Sequence, residues 1–386
     1  MFTIRCFEDF AVLPPAHRAL VDAAAQRSFF HDPDWFGLLL RHVFQHRLRI
    51  YAVEDGDTGR VLLVMPLRAS HADYAAPGAR ALGAISHPEN YAPVAMLFAP
   101  EVHNRDAVLL ALFRHLRAGR SEPPVDALRL WPFEDDSATG RMLRRCLLRA
   151  GFMVQRYENS FNRYEDTTGL DYDTYFAARS ANQRYNVRRR HRALARDGGL
   201  ELALHRDPGD ALDGAVRDYI AVSQGSWKTL GSMVSEDLLE LIGLAAAKGC
   251  LRLGILRVHG VPAAAQLWIV TGGVAHCARL AYHEDFKQQA VGVVLTNFMI
   301  AHVLDQDRAQ RIDFGFGEED YKGGWMKEAR DYYGYMAFNP TSRRGLVAGI
   351  RNVVGRPLKR SAKWVLRSLR LRAPDAPVIR GRAGRR

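Results

Sequence analysis

The residues best suited to chemistry lie in one run, Asp313-Phe314-Gly315-Phe316-Gly317-Glu318-Glu319-Asp320-Tyr321-Lys322-Gly323-Gly324-Trp325. Carboxylates, a phenol, an ammonium and an indole are set there among glycines that permit close backbone approach. A mere surface turn requires no such set, although a strand end with a buried Tyr–Trp pair is the plainer reading. Gly315-x-Gly317 is not a dinucleotide fingerprint, because Asp320 holds the third glycine position and no long helix follows directly. A second run is Lys287-Gln288-Gln289-Ala290-Val291-Gly292-Val293-Val294, between a strand and a helix. Unpaired N–H groups at a helix N-terminus bind a pyrophosphate; Gly292 admits its backbone approach and Lys287 adds charge. Simple helix capping explains the same glycine.

Stepping outward, helical stretches are expected at 14–30 and 34–43, the latter after Pro33 at a helix start. Leu48–Val53 and Val61–Leu67 flank Asp55-Gly56-Asp57-Thr58-Gly59 and read as a hairpin. Tyr91–Phe98 reads as a third strand, followed by helix 106–118, strand 127–131, helix 137–150 and strand 152–164. The order then repeats. Helices at 172–196, 211–227 and 236–248 precede strands at 251–258, 263–271 and 274–282. Helix 291–304, strand 311–314, a short helical or looped piece at 318–329 and strand 332–338 close it. The first-half counterpart of the phosphate run, Ala99-Pro100-Glu101-Val102-His103-Asn104-Arg105-Asp106, has no glycine and two acids. Those acids oppose a diphosphate, so one cofactor site is expected, in the second half.

That order is the order of the GNAT acyltransferase fold. Its phosphate signature, Arg/Gln-x-x-Gly-x-Gly/Ala, is matched here except at Val294. The chain further resembles the BioF2-like (CelD/BcsL-type) acetyltransferases of the GNAT superfamily, related to the FemAB peptidyltransferases. The residues that carry the resemblance are the Arg-rich stretch Asn182–Arg196, Ser226-Trp227-Lys228, Gly260-Val261-Pro262-Ala263-Ala264 and Ala281-Tyr282-His283. Gln289–Thr296, Asp313–Trp325 and Asn90-Tyr91-Ala92-Pro93-Val94 complete the set. Pro-Gly usually stands in that group where this chain has Val291-Gly292. The resemblance implies an α/β (α+β) tandem GNAT-like fold with mixed sheets flanked by helices. It also implies acyl-CoA, acetyl-CoA among others, as co-substrate.

The domains expected are 1–165, GNAT-like and without cofactor; 166–340, the acyltransferase domain; and a basic tail at 341–386. Direct acyl transfer needs an oriented donor, an acceptor amine or hydroxyl, oxyanion stabilisation and a base. No covalent nucleophile is required, in keeping with the lack of a Gly-x-Ser-x-Gly elbow or a placed Cys/His pair. Lys287, Gln288, Gln289, Gly292 and Val293 are the donor-site candidates. Lys322 would contact the acceptor or developing charge, as the Phe-Lys of the related FemAB proteins implies. Tyr321 would protonate the leaving thiolate, and Asp313 or Glu318 would act as base. Tyr91, Trp227, Tyr282 and Trp325 are substrate-cleft candidates, each equally readable as packing. The Arg184–Arg192 run reads first as a solvated helix face and second as an anionic acceptor site.

The 54 Lys+Arg and 42 Asp+Glu give a net charge of +12. Residues 341–386 hold 14 Lys/Arg against Asp375, a net of +13, which leaves the first 340 residues at −1. A broad nucleic-acid face is therefore not expected. The tail interleaves Leu346, Val347, Ile350, Val354, Trp364, Val365, Leu366 and Leu369 with basic residues. It reads as an amphipathic membrane-surface segment broken near Pro357, or as a solubilising tail. Cys6, Cys146, Cys250 and Cys277 lack metal or disulfide spacing. A cytoplasmic, metal-free enzyme acting on a glycan or cell-envelope precursor is expected, held at the inner face of the membrane if the tail binds there. A FemAB-like aminoacyl or peptidyl transferase and a non-catalytic scaffold are the alternatives.

Overall fold

The computed structural model describes residues 1–71, 78–87, 93–119, 125–134, 137–196, 198–226, 236–317 and 320–355. The first half contributes β1 (Phe2–Phe7), β2 (Arg47–Asp55), β3 (Val61–His71), β4 (Arg80–Ala84), β5 (Leu97–Phe98), β6 (Ala127–Glu134) and β7 (Met153–Asp166). The second half contributes β8 (Leu200–His205), β9 (Leu251–Val258), β10 (Val261–Thr271), β11 (Val274–Tyr282), β12 (Arg311–Phe316) and β13 (Glu328–Phe338). Helices α1 (Pro15–Arg27), α2 (Pro33–Leu38), α3 (Arg105–Arg117) and α4 (Ala138–Arg149) belong to the first half. Then follow α5 (Tyr172–Ala177), α6 (Ala181–Ala195), α7 (Asp210–Gln224), α8 (Glu236–Ala247), α9 (Val291–Asp305), α10 (Asp320–Trp325) and α11 (Arg343–Gly349).

All strands join one mixed sheet in the order β1-β2-β3-β4-β6-β13-β7-β12-β11-β10-β9-β8, with β5 paired to β3. The order is a pseudo-twofold built by exchange. After β6 and α4 the chain sends β7 to the far side, against β12. After β12 and α10 it returns β13 against β6, and β7 and β13 pair with each other at the centre. Two neighbour pairs run parallel, β4 with β6 and β11 with β12, each over only three residues.

Burial follows composition. β10 is buried almost continuously because helices cover both of its faces. α9 is apolar nearly all round and is buried at Val291, Val294, Leu295, Met299, Ile300, Val303 and Leu304. It packs with α5 and α6 on one face of the sheet, around Trp268, Phe314 and Trp325. On the other face α7 and α8 join the first-half core around Trp35, Phe36 and Phe113. The halves meet there. Lys248 Nζ bridges Asp32 and Asp34 at 2.8 and 3.0 Å, and Phe29 N–H donates to Thr271 Oγ1 at 2.7 Å.

The tandem GNAT-like architecture expected from the element order is present. Its details differ in three places. β1 and β8 were not expected; they are the two edges of the sheet, half solvated, and lack a strong apolar signature. The third strand of the first half is Arg80–Ala84, while among the described residues 93–98 of the expected 91–98 segment only Leu97–Phe98 is paired. Finally, 172–196 is broken by Ser180, whose side chain caps α6 at Gln183 N–H. Among the described residues no helix is long and apolar enough to cross a membrane.

Candidate active site

β11 and β12 pair only from Val274/Arg311 to His276/Asp313. Gly315, at φ +64°, then turns β12 away while β11 continues to Tyr282. The strands splay, and the backbone edge of β11 beyond His276 has no ladder partner in β12. An irregularity at Leu267/Trp268, where Ala278 is skipped, adds twist to β11 at this point.

A cavity of about 450 Å³ opens at the splay. Leu280 and Tyr282 line it from β11; Lys287, Ala290, Val291, Gly292, Val293 and Thr296 from the loop and first turns of α9; Tyr321 and Trp325 from α10. Six of the residues singled out in the sequence thus meet: Tyr282, Lys287, Gly292, Val293, Tyr321 and Trp325. Gln288 and Gln289 sit in the loop beside it and are not in its lining. Tyr91, Trp227 and Glu318 lie outside the described residues.

The loop is shaped for an anion. Ala290 holds the N-cap of α9 in the left-handed region, φ 55°, ψ 41°, and no side chain caps the helix. A Cβ on Gly292 would meet only Tyr282 Cδ1, at 3.7 Å, so the first turn presents open backbone to the cavity. The turn is pinned from behind. Thr296 Oγ1 donates to Gly292 O at 2.8 Å, Gln266 Nε2 donates to Thr296 Oγ1 at 2.7 Å, and Trp268 Nε1 donates to Gln266 Oε1 at 2.9 Å. Arg190 of α6 donates to Gln288 O at 2.7 Å. Lys287 Nζ lies 3.3 Å from Glu284 Oε2, a half-exposed pair that leaves the local charge modest. In the first half, α3 is closed by its own Asn104, whose side chain accepts from Ala107 N–H at 3.1 Å. Asp106 in that turn pairs with Arg145 at 2.6 Å.

Behind the cavity the residues are held tightly. Asp313, 1% exposed, accepts from Asn162 Nδ2 at 2.7 Å, Gly315 N–H at 2.8 Å and Arg330 at 2.8 Å. Beside it on β11, burial pushes the His276 imidazole below its ordinary range, against the pull of the Asp313 charge. Lys322 is buried, with Nζ donating to Phe316 O at 2.8 Å. Tyr321 is 45% exposed and its ring lies 6.4 Å from that of Phe314. Trp325 is fixed through its carbonyl, which accepts from Tyr175 OH at 2.6 Å and from Arg179. Arg179 forms a buried bidentate pair with Glu165 of β7, and Lys327 N–H donates to the same carboxylate at 2.7 Å. Arg179, Glu165, Gln266 and Thr296 were not read as site residues in the sequence, and Arg190 was read only as part of a solvated or acceptor-binding arginine run. Only Thr296, one helical turn after Gly292, carries a local signal.

Residues 181–323 match the family described as an acetyltransferase (GNAT) domain. The matched span runs from α6 into α10 and includes the turn of α9 and the end of β11 that line the cavity. No curated protein sequence matches the chain at a significant level. Among solved structures it is similar to FemX, 11% identical, with 85% of this chain and 96% of that one covered at a TM-score of 0.56. It is also similar to a tandem GNAT protein from the clavulanic acid biosynthesis pathway, 14% identical, covering 87% and 98% at a TM-score of 0.50. A conserved protein of unknown function from Bacteroides thetaiotaomicron is 10% identical, covering 87% and 100% at 0.51. At these identities the likeness is one of fold.

Proposed function

We propose that the chain is an acyl-CoA-dependent acyltransferase, BioF2-like, acting on a hydroxyl or amine of a surface polysaccharide or cell-envelope precursor. The observation that carries the donor assignment is the 450 Å³ cavity bounded by the end of β11, the open first turn of α9 and α10. The CoA pyrophosphate would take the N–H groups of that turn, with Gly292 allowing contact and Lys287 adding charge. The end of β11 that lines the cavity, Leu280 to Tyr282, would run beside the pantetheine arm. The first half, with α3 capped by Asn104, serves as scaffold and acceptor-side wall.

In the transfer step the acceptor lone pair attacks the thioester carbonyl and the C–S bond breaks. The acceptor proton leaves to a base, and the departing thiolate takes a proton from Tyr321, the phenol that faces the cavity. Lys322 holds the end of β12 through Phe316 O, and from there its charge would stabilise negative charge developing in the cavity. Asp313 is engaged by three donors, which leaves Glu318 as the carboxylate for the acceptor proton.

An aminoacyl-tRNA donor is the second reading. It is favoured by Arg188, Arg189 and Arg192, exposed on the helix whose Arg190 touches the loop, since a polyanion larger than CoA would engage them. Mass spectrometry of surface polysaccharide from a deletion strain tests the first reading. Loss of one acyl substituent, restored by the wild-type gene, is expected. An unchanged glycan together with a missing aminoacyl group on an envelope precursor would support the second instead.

A further inference from the structure

α11 and the wider-wound turn that continues it, Ile350–Gly355, are packed the wrong way round for a helix whose purpose is to fill a core. The face against the sheet carries small or polar residues: Gly345, Ala348, Gly349 and Asn352 are buried. A Cβ on Gly349 would come 2.6 Å from Met153 Sδ, so only a small residue fits this contact. Ser342 caps the helix at Gly345 N–H, 2.9 Å, and is itself tied to Asp126. The large aliphatics face water instead. Leu346 is 41% exposed, Val347 62%, Ile350 52% and Val354 48%. Their spacing of three and four residues makes one continuous stripe. Scattered exposed aliphatics are ordinary, but a contiguous stripe on a docked helix marks an interaction surface.

Charge identifies what fits the stripe. Arg343, Arg344 and Arg351 are exposed on the same short helix, which has no acid. The chain that follows, 356–386, adds 11 Lys/Arg against Asp375. An apolar stripe bordered only by cations is complementary to an anionic lipid surface, where aliphatics enter the headgroup boundary and guanidiniums meet phosphates. A nucleic acid would meet the arginines but leave the stripe in water. A second copy would bring like charges together.

We propose that the exposed face of residues 343–355 docks this protein on an anionic membrane. The inference does not depend on the donor-site reading, since vesicle binding and acyl-CoA binding are measured separately and either can fail alone. The test is co-sedimentation of the full chain with vesicles of phosphatidylcholine alone and of phosphatidylcholine and phosphatidylglycerol in equal parts. Binding to the mixed vesicles only is expected, with at least about a tenfold loss in the Val347→Glu/Ile350→Glu double variant, which removes apolar contact and adds repulsion. Both positions are on the surface, so the thermal melt of the variant is expected to match that of the wild type. Equal binding to both vesicle types, no binding to either, or full binding by the folded double variant would overturn the proposal. So would a dimer in solution that the double substitution dissociates, since the stripe would then be covered by a second copy.

Discussion

The carboxylate of Asp313 receives hydrogen bonds from Asn162, Gly315 and Arg330 while nearly fully buried. Those bonds fix the turn at Gly315, and the turn parts β12 from β11. Asp313→Asn removes one of the two carboxylates that pair with Arg330, leaving Glu134 in place, and weakens a buried charge-assisted hydrogen bond at a cost of about 1–3 kcal/mol. The expected outcome is a lowered melting temperature, with turnover falling in step with the folded fraction and an unshifted pH–rate profile. Loss of the acidic limb of that profile in a folded variant would instead restore Asp313 as the base. Sequence reasoning placed this residue in the right neighbourhood. Its partners lie on β7 and β13, and no local pattern reveals a pairing made across the sheet. Gly292, Lys287 and Tyr282 were legible because a strand, a loop and a helix start are consecutive in the chain. The contacts of Arg190 and Gln266 with the loop and the helix turn were not, since both come from other elements.

At the scale of elements, hydrophobic periodicity exposed the inner strands and the long helices, whose two-sided or one-sided burial writes itself into the residue order. It missed β1 and β8, the sheet edges, and it misplaced the third strand, where Arg80–Ala84 is short and rich in small residues. α11 is a further case: the sequence places it in a tail that is either an amphipathic surface segment or a solubilising one, whereas the helix is docked on the protein through its glycines. A Cβ on Gly345 would lie 2.2 Å from Asn339 O and 2.7 Å from Asp126 O, both backbone atoms that cannot move aside. Gly345→Ala is therefore expected to destabilise the protein by about 1–3 kcal/mol, the usual cost of overpacking. Denaturant melts check this; an unchanged midpoint would mean that α11 is not docked through this glycine.

For the molecule as a whole, the exchange of β7 and β13 is the feature least visible in the sequence. The repeat of element order announces two similar halves, but only tertiary pairing decides where each last strand goes. Because β7 pairs with β12 and β13, and β13 with β6 and β7, a fragment ending at Asp166 leaves β7 without either neighbour. Fragments 1–166 and 167–386 are expected to lack cooperative melts when made alone and to regain one when refolded together. Independent folding of either fragment would contradict the exchange. The same continuous sheet holds the α9 turn, the β11 edge and α10 around one cavity, and that arrangement supports the central claim that the second half binds an acyl-CoA donor. Calorimetric titration of acetyl-CoA into the wild type, Gly292→Ala and Gly292→Glu tests it most directly. The Ala variant, whose Cβ has room beside Tyr282, is expected to bind with only a small loss. The Glu variant is expected to keep its fold and lose binding, because a carboxylate would occupy the pyrophosphate position. No binding by the wild type, or undiminished binding by Gly292→Glu, would contradict the account.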